Sequence, residues 1–329
     1  MDSGTLFILL VIAVAFIFDF INGFHDAANS IATIVTTGVL TPKKAVLWAA
    51  FFNFIAFLVF SLSVAKTIGS GLVNPDVVNP ALIFAALIGA IFWNLATWYY
   101  GLPSSSSHAL IGGLAGAAVA KAGFSTLILA GFVKVIAGIF ISPLVGMLIG
   151  YWLTMTLTRF AKRHDKARME HLFKGFQLAS SALLSLTHGG NDAQKTMGII
   201  AVLLYSASWL NGDFHVPFWV VVSCHTVIAL GTLAGGWRIV HTMGKKITEL
   251  TPLRGCAAET GAAAMIFAAT ELGVPVSTTH TVTGAIAGVG FVNGPSLTHW
   301  PVLRRIFLAW LLTIPAAGLV AAGIMLTIQ

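Results

Sequence analysis

Long apolar segments follow one another along almost the whole chain, and only short polar stretches separate them. Only 9% of the 329 residues are charged, against about 25% in soluble domains, and the mean hydropathy is +0.91. A soluble protein with a very large core would not need apolar runs over nearly its full length. Because helices satisfy their own backbone hydrogen bonds in lipid, the pattern predicts an all-α integral membrane protein.

The basic residues indicate how the chain is oriented. They produce a net charge of +7 but cluster in a few polar stretches, as in cytoplasmic loops, so we do not expect nucleic acid as a partner. The longest basic stretch, Arg159–Lys174, is predicted to be a cytoplasmic loop between two halves, residues 1–158 and 175–329. Five crossings before it, starting outside, place Lys43 and Lys44 inside and Asp76 outside. The same alternation afterwards fits every charged loop, which predicts about ten crossings.

Two similar polar motifs interrupt the apolar segments. NGFHDAANS contains Asp26 and Asn29, and THGGNDAQKTM has Asp192 and Lys195 at the same two places. An ionisable side chain in hydrocarbon costs roughly 2.5–3.5 kcal/mol even on the lenient insertion scale. These side chains are therefore expected to face a partner, a cavity or a substrate.

A second pair of similar motifs lies downstream. LPSSSSHA ends near His108 and VPVSTTHT ends near His280; 82 positions separate Asp26 from His108, and 88 separate Asp192 from His280. Two motifs that recur in one order at nearly one spacing indicate an internal duplication. With five crossings per half, the halves would have opposite orientations, so we predict two inverted-topology repeats with broken or re-entrant helices.

The motifs also predict local breaks and an anion site. The apolar stretch around NGFHDAANS is too long for one crossing, so we expect its helix to be interrupted at Gly23. Pro103 and Pro275 each suit the first turn of a helix. The hydroxyl runs after them would then lie at helix N-termini, which carry about half a positive charge and bind phosphate-like anions.

Acidic residues beside an anion site require an explanation. Asp26 and Asp192, with Asn29 and Asn191, supply oxygen ligands suited to a small cation or a proton. Carboxylates next to a bound anion are reasonable if cations or protons travel with it. The residues therefore predict coupled symport.

The four motifs together resemble the inorganic phosphate transporter family, and above all its bacterial low-affinity permeases. The resemblance rests on GFHDAANS, LPSSSSHALIGG, LFKGFQLASSALLSLTHGGNDAQKTMG and VPVSTTHTVTG, and it covers nearly the whole chain. It implies a multi-pass symporter of inorganic phosphate in the inner (plasma) membrane, coupled to protons or sodium, built as an inverted repeat and assembled as a homodimer. We expect no enzymatic activity and no cofactor.

The resemblance also carries over the site residues. For phosphate these are members of the two hydroxyl runs, Ser105, Ser106, Ser107, Ser277, Thr278 and Thr279, to which we add Asn191 and Lys195 from their places in the second polar motif. For the coupling ion or proton they are Asp26, Asn29, Asp192 and, from its likeness to a family glutamate, Glu259. No protein-bound metal is predicted, because His25, His108, His188 and His280 have no metal-ligand spacing and suit hydrogen bonds within helix ends.

The two copies differ in a way that bears on coupling. Sodium-coupled members of the family tend to have Asn in both copies, whereas this chain has Asn29 in one and Lys195 in the other. A fixed ammonium would repel sodium and attract phosphate, so we predict proton coupling, with a divalent metal travelling as a metal–phosphate complex as a further expectation. Lys195 could instead be a structural partner of Asp192, three positions away on the same helix face.

Other interpretations stay open from the sequence alone. Within the family, the alternatives are a sodium-coupled phosphate symporter and a sulfate permease. From other classes, an intramembrane metal-dependent hydrolase would need ligand spacing that the sequence lacks, and an uncoupled channel would not need broken helices. The positions of Asp19 and Lys134 remain open between pore-lining and interfacial.

Overall fold

The computed structural model describes residues 2–210, 213–292, 294 and 298–328. Within these ranges there is no β-strand, only an isolated bridge between Val73 and Leu127, which confirms the all-α prediction. The described residues form thirteen α-helices: α1 (Ser3–His25), α2 (Ala27–Thr36), α3 (Pro42–Ile55), α4 (Ser63–Ser70), α5 (Pro80–Tyr99), α6 (Ser106–Ala122), α7 (Leu129–Ala161), α8 (Lys166–Ser206), α9 (Phe218–Ala234), α10 (Trp237–Lys245), α11 (Pro252–Glu271), α12 (Thr278–Phe291) and α13 (Trp300–Ile328).

Several of these helices are long and apolar enough to cross a membrane. Four described stretches qualify by length and composition, residues 3–36, 80–99, 129–161 and 300–328. Two bent pairs would raise the number to six: α3 with α4, bent by 82°, and α9 with α10, bent by 71°. The predicted ten crossings are not reached by this count. The 17-residue α6 and the 14-residue α12 are shorter than the roughly 20 residues of a full span.

The first helix breaks at a different residue from the one predicted. α1 continues through Gly23 to His25, and the interruption is at Asp26, whose φ of −92° and ψ of 2° separate α1 from α2. Glycine is needed at position 23 for a different reason: a Cβ there would collide with the backbone carbonyl of Ile228 on α9. The glycine is thus needed for close helix packing, and the predicted break at Gly23 was wrong.

The basic segment is mostly helical, which corrects the predicted loop Arg159–Lys174. α7 continues to Ala161, and α8 begins at Lys166 after its N-cap Asp165, whose carboxylate accepts a 2.8 Å hydrogen bond from the Arg168 N–H. With 33 and 41 residues, α7 and α8 are about 50 and 60 Å long, against a hydrocarbon thickness of about 30 Å. Their exposed, basic ends therefore extend beyond it, joined by a four-residue turn.

The second polar motif, unlike the first, lies within an uninterrupted helix. α8 continues through Thr187–Met197, and residues 187–204 are all buried. In the second half the sharp bend is instead between α9 and α10. Asp192 is therefore held by a continuous helix, whereas Asp26 lies at a break.

The chain follows the same local path twice before α6 and α12. α5 and α11 are each followed by a glycine with positive φ, Gly101 at 65° and Gly273 at 66°, a conformation that glycine adopts without strain. A largely buried, extended segment follows each glycine. In each segment a backbone N–H donates to the carbonyl two residues earlier: Ser104 to Leu102 at 2.9 Å, and Val276 to Val274 at 2.8 Å.

Each extended segment ends in a serine N-cap. Ser105 accepts a 3.2 Å hydrogen bond from the His108 N–H, and Ser277 accepts one of 3.1 Å from the His280 N–H. The two prolines lie two residues before these caps, so their predicted place in the first helical turn was wrong. The chain is still extended at each proline and enters the helix only after the cap.

The helix contacts are exchanged when the two halves of the chain are exchanged. α6 packs on α13 as α12 packs on α7, and α5 packs on α13 as α11 packs on α7. Glycines allow the closest approach: a Cβ at Gly116 would collide with the backbone of Gly318, and one at Gly288 with that of Met147. The N-terminal parts of α6 and α12 are thereby held in the interior.

Candidate functional site

The two polar motifs meet in the interior of the protein. Asp26, at the break between α1 and α2, and Asp192, in the middle of α8, each have an oxygen close to one nitrogen of His188. These three ligand atoms lie within 4.8 Å of one another, and all three residues are buried. The fold thus joins acids that are 166 positions apart in the sequence.

Lys195 lies inside this group and is only 1% exposed. Its Nζ donates hydrogen bonds to Asp192 Oδ1 at 2.5 Å, to the Val276 carbonyl at 3.0 Å, and to Ser107 Oγ. The partners are a carboxylate, a carbonyl and a hydroxyl, from three separate parts of the chain. Oxygen ligands of these kinds also coordinate small hard cations, so the ammonium occupies a position suited to such a cation.

Asn29 makes the equivalent contact from the first half. Its Nδ2 donates to Thr279 Oγ1 at 3.0 Å and to Thr278 Oγ1 at 3.2 Å, and the Thr278 hydroxyl donates to Asp192 Oδ2 at 3.0 Å. Asn29 contacts the hydroxyl run of the second half, and Lys195 that of the first half. The four motifs therefore form one connected hydrogen-bond network.

Histidines complete the network around the two acids. His25 Nδ1 lies 2.7 Å from Asp26 Oδ1, and His188 Nε2 lies 3.1 Å from Asp192 Oδ2. Sequence reasoning gave neither histidine to the site, although the i,i+4 spacing of His188 and Asp192 is a signal for such a contact. The other ring nitrogen of His188 lies 3.2 Å from Asn53 Oδ1, a partner that nothing in the sequence indicated.

The first turns of α6 and α12 face each other. The ring centroids of His108 and His280, one turn into each helix, are 4.8 Å apart. The hydroxyls of Ser105 and Ser277, predicted to bind phosphate, already accept their N-cap bonds. The Ser106 hydroxyl is buried and has no hydrogen-bond partner within the described part of the chain.

Two predicted residues lie outside the central group. Asn191 donates to Thr270 Oγ1 at 2.8 Å, next to the site on α11. Glu259 has its own cluster: its Oε1 accepts from Thr33 at 2.6 Å and from Gln177 at 2.9 Å, and its Oε2 accepts from Ser180 at 2.5 Å. This cluster joins α2, α8 and α11, beyond the central group on the side of the basic helix ends.

The central group is closed to solvent on both sides. Ser107, at 4%, is the most exposed of its members, and Asp26 follows at 2%. Hydroxyls, an ammonium and two helix N-termini can hold an oxyanion, and the neighbouring acids and histidines can hold protons or a cation. Because the group is buried, a ligand could reach it only after a change of conformation.

Comparison with known proteins identifies the family. A model of the phosphate transporter family matches residues 22–321. A protein of Rhizobium meliloti (strain 1021), named a probable low-affinity inorganic phosphate transporter, is 57% identical over 98% of this chain and 97% of its own length. A Bacillus subtilis (strain 168) protein of the same name is 42% identical over the same shares.

A solved structure agrees with the sequence relatives. It is described as the sodium-dependent phosphate transporter, and it covers 98% of this chain and 99% of its own with a TM-score of 0.87 at 26% sequence identity. The relatives are named as transporters rather than enzymes, as the motifs predicted. The chain belongs to the phosphate transporter family.

Proposed function

We propose that this protein is a symporter of inorganic phosphate in the inner (plasma) membrane, and that protons drive it. The observation that carries the proposal is the buried pair of Lys195 and Asp192, which the hydroxyl-bearing ends of α6 and α12 enclose. A positive side chain and several hydroxyls suit the substrate, and the acids beside them suit the coupling ion.

Lys195 is the reason for preferring protons to sodium. The solved relative is described as sodium-dependent, but here an ammonium occupies a position with three oxygen partners. A sodium ion can dissociate with the substrate, whereas a lysine side chain cannot. Charge can then enter and leave the site on the proton-binding groups Asp26, Asp192 and His188, which lie together. Sodium coupling through Asn29 is the alternative that the test below must exclude.

We further propose alternating access between two inverted halves with about ten crossings. The repeated path before α6 and α12, and the helix contacts that exchange with the halves, support the duplication. Contacts between the ends of helices are consistent with the predicted alternation of sides. The Arg238 guanidinium lies 4.9 Å from the ring of Tyr99, and Lys121 donates to the Val77 carbonyl at 2.7 Å. Each contact joins segments predicted to be on one side, with the basic ends of α7 and α8 cytoplasmic. The homodimer is proposed from the family resemblance.

A divalent metal that accompanies phosphate is a second possibility with its own observation. Asp26, His188 and Asp192 place three ligand atoms within 4.8 Å of one another, and carboxylate and imidazole are ligands of divalent metals. A metal–phosphate complex would reach the site with its charge partly cancelled. Selection of phosphate over sulfate would follow from a carboxylate that accepts a hydrogen bond from the protonated oxygen of phosphate.

Uptake of labelled phosphate into proteoliposomes tests this function. When each gradient is imposed separately, an inward proton gradient should drive uptake and a sodium gradient should not. Adding or withholding magnesium tests whether a divalent metal accompanies phosphate. Competition by excess sulfate tests the selection of phosphate over sulfate. Asp192→Asn should abolish uptake while the protein still inserts and folds, and Asp76→Asn, at an exposed loop residue, should leave it unchanged. Uptake that required sodium and ignored the proton gradient, or normal uptake by Asp192→Asn, would refute the proposal.

A further inference from the structure

Asp19 is a buried acid that the site described above does not use. It lies on α1, seven residues before Asp26, and its side chain is 0% exposed. Its Oδ1 accepts a 2.7 Å hydrogen bond from the Thr196 hydroxyl on α8, and its Oδ2 has no hydrogen-bond partner among the described residues. Among the residues that the structure describes, no cationic side chain forms an ion pair with Asp19.

The other buried acids of the interior are better compensated. Asp192 has the Lys195 ammonium, Asp26 has the His25 ring, and Glu259 accepts three hydrogen bonds. A buried carboxylate with one donor and no cation is expensive, and the carboxylic acid is the form that such surroundings tolerate. In this conformation Asp19 is therefore suited to carry a proton.

The groups around Asp19 give that proton a path. Thr196, whose hydroxyl donates to Asp19, is one turn from Asp192 on the same face of α8, so one helical turn separates the hydrogen-bond partner of Asp19 from the central acid. The helices packed on α1 add few titratable groups nearby. α8 contributes His188, Asp192 and Lys195, and α9 contributes Cys224 and His225, while α2 and α5 contain no Asp, Glu, His, Lys or Arg.

The position of Asp19 along the membrane axis completes the arrangement. At 1.5 Å per residue it is about 10 Å from Asp26 toward the N-terminal, external end of α1. Thr33, which bonds Glu259, is seven residues after Asp26 and thus about as far toward the other side. At the position equivalent to Asp19, seven before Asp192, the second half has Ser185, so this acid is not part of the duplicated pattern.

We propose that Asp19 binds the driving proton on the external side of the central site and passes it through Thr196 to Asp192. For this transfer the Thr196 hydroxyl, which donates to Asp19 in the described conformation, turns toward Asp192; it then accepts the proton from the Asp19 acid and gives its own to the Asp192 carboxylate. Asp19 becomes a carboxylate, Asp192 an acid, and Thr196 is unchanged. Neutral Asp192 no longer holds the Lys195 ammonium, which can turn to phosphate. This inference depends on the proton coupling proposed above.

Asp19→Asn separates proton movement from phosphate movement. The amide resembles the protonated acid but cannot release a proton. In proteoliposomes, net uptake driven by a pH gradient should fall at least tenfold. Exchange of internal for external phosphate, which needs no net proton transfer, should stay within twofold of the wild type. Thr196→Val should also lower net uptake and shift its pH profile, and Asp76→Asn should change neither activity.

A measurement on the wild-type protein needs no variant. Dicyclohexylcarbodiimide adds to protonated buried carboxyls, and peptide mapping identifies the modified residue. Asp19 should be modified at low pH and progressively less as the pH rises. No modification of Asp19 at any pH would overturn the proposal, even where Asp19→Asn failed to fold.

The outcomes distinguish this inference from the proposed function. If wild-type uptake follows the proton gradient but Asp19→Asn matches the wild type in net uptake and pH profile, only the assignment of Asp19 is overturned. If Asp19→Asn folds but loses exchange together with net uptake, Asp19 is needed for phosphate binding instead, which also overturns it. If wild-type uptake ignores the proton gradient, the proposed function itself fails.

Discussion

Replacing Lys195 by Asn should give the protein a response to sodium. Asn is the residue at the equivalent position of the first half, where Asn29 contacts Thr279 as Lys195 contacts Ser107. The substitution removes the ammonium but leaves its oxygen partners, Asp192 Oδ1, the Val276 carbonyl and Ser107 Oγ, and adds an amide oxygen. That set of ligands suits a small hard cation.

The size of the effect follows from the burial of the pair. Lys195 is 1% and Asp192 0% exposed, so the loss of one partner leaves a buried charge. Breaking such a pair costs about 3–5 kcal/mol, which corresponds to a loss of roughly 10²-fold to several thousand-fold in an equilibrium constant at 1.36 kcal/mol per tenfold. A sodium ion at about 100 times its dissociation constant would return about 2.7 kcal/mol, which is most of the lower figure.

Two measurements check this expectation. Thermal unfolding of purified Lys195→Asn should show a midpoint that is lower than the wild type's and that rises as sodium replaces choline at constant ionic strength. Phosphate uptake into proteoliposomes should become sodium-dependent. Lys195→Met is the matched control, because it removes the same charge and leaves an unbranched side chain of similar length that offers no oxygen. Its phosphate uptake should be lost, and its unfolding midpoint should not respond to sodium.

One pattern of results would refute the prediction of a cation site at position 195. If Lys195→Asn folds but neither its unfolding midpoint nor its uptake responds to sodium more than the Lys195→Met protein does, the oxygens around Lys195 do not form a latent cation site. The ammonium would then be a structural partner of Asp192 only.

Three further predictions concern the packing of α6, the role of Glu259 and the orientation of the chain in the membrane. Gly116→Leu should lower the unfolding midpoint by several degrees, because even a Cβ would collide with the backbone of Gly318; a Leu at Gly175, with nothing within 4 Å, is the control in thermal unfolding. Glu259→Leu should destabilise the protein by roughly 1–3 kcal/mol for each of three orphaned donors, whereas Glu259→Gln should fold and show reduced uptake; equal stability of the two would contradict this. Cysteines placed at Asp76 and His164, both exposed, should react with a membrane-impermeant thiol reagent from outside and inside respectively, and Cys224 and Cys256 are buried and should give little background.

The sequence predicted best the features that depend on short-range chemistry. The all-helical class follows from apolar runs, and the duplicated motifs indicated which residues belong together. The hydroxyl runs were correctly predicted to lie at helix N-termini, but the N-cap roles of Ser105 and Ser277 were not predicted, because a hydroxyl at a helix end can accept from a free backbone N–H or bind a ligand. The prolines were misplaced because the same residue suits both the first helical turn and an extended approach to a cap.

The errors concern features that only the packing decides. The sequence predicts a helix break at Gly23, but glycine is needed there because of the carbonyl of Ile228 on α9, more than 200 positions away in the sequence. The sequence predicts a loop at Arg159–Lys174 because charged residues usually lie outside the bilayer. Long helices can leave it too. Asn53 and the Val276 carbonyl enter the site only because α3 and the segment before α12 happen to lie there.

The proposed proton coupling depends on the differences between the two halves rather than on their likeness. A strictly repeated pocket would offer two equal sets of an acid, an amide and hydroxyls, and nothing in it would set protons apart from other cations. In this chain the second half replaces the amide by Lys195, and the first half adds Asp19 where the second has Ser185. One change adds a fixed positive charge and the other adds a carboxyl without a cation. Together they place a fixed cation near a carboxyl that can carry a proton, which is the combination on which the proposed proton coupling depends.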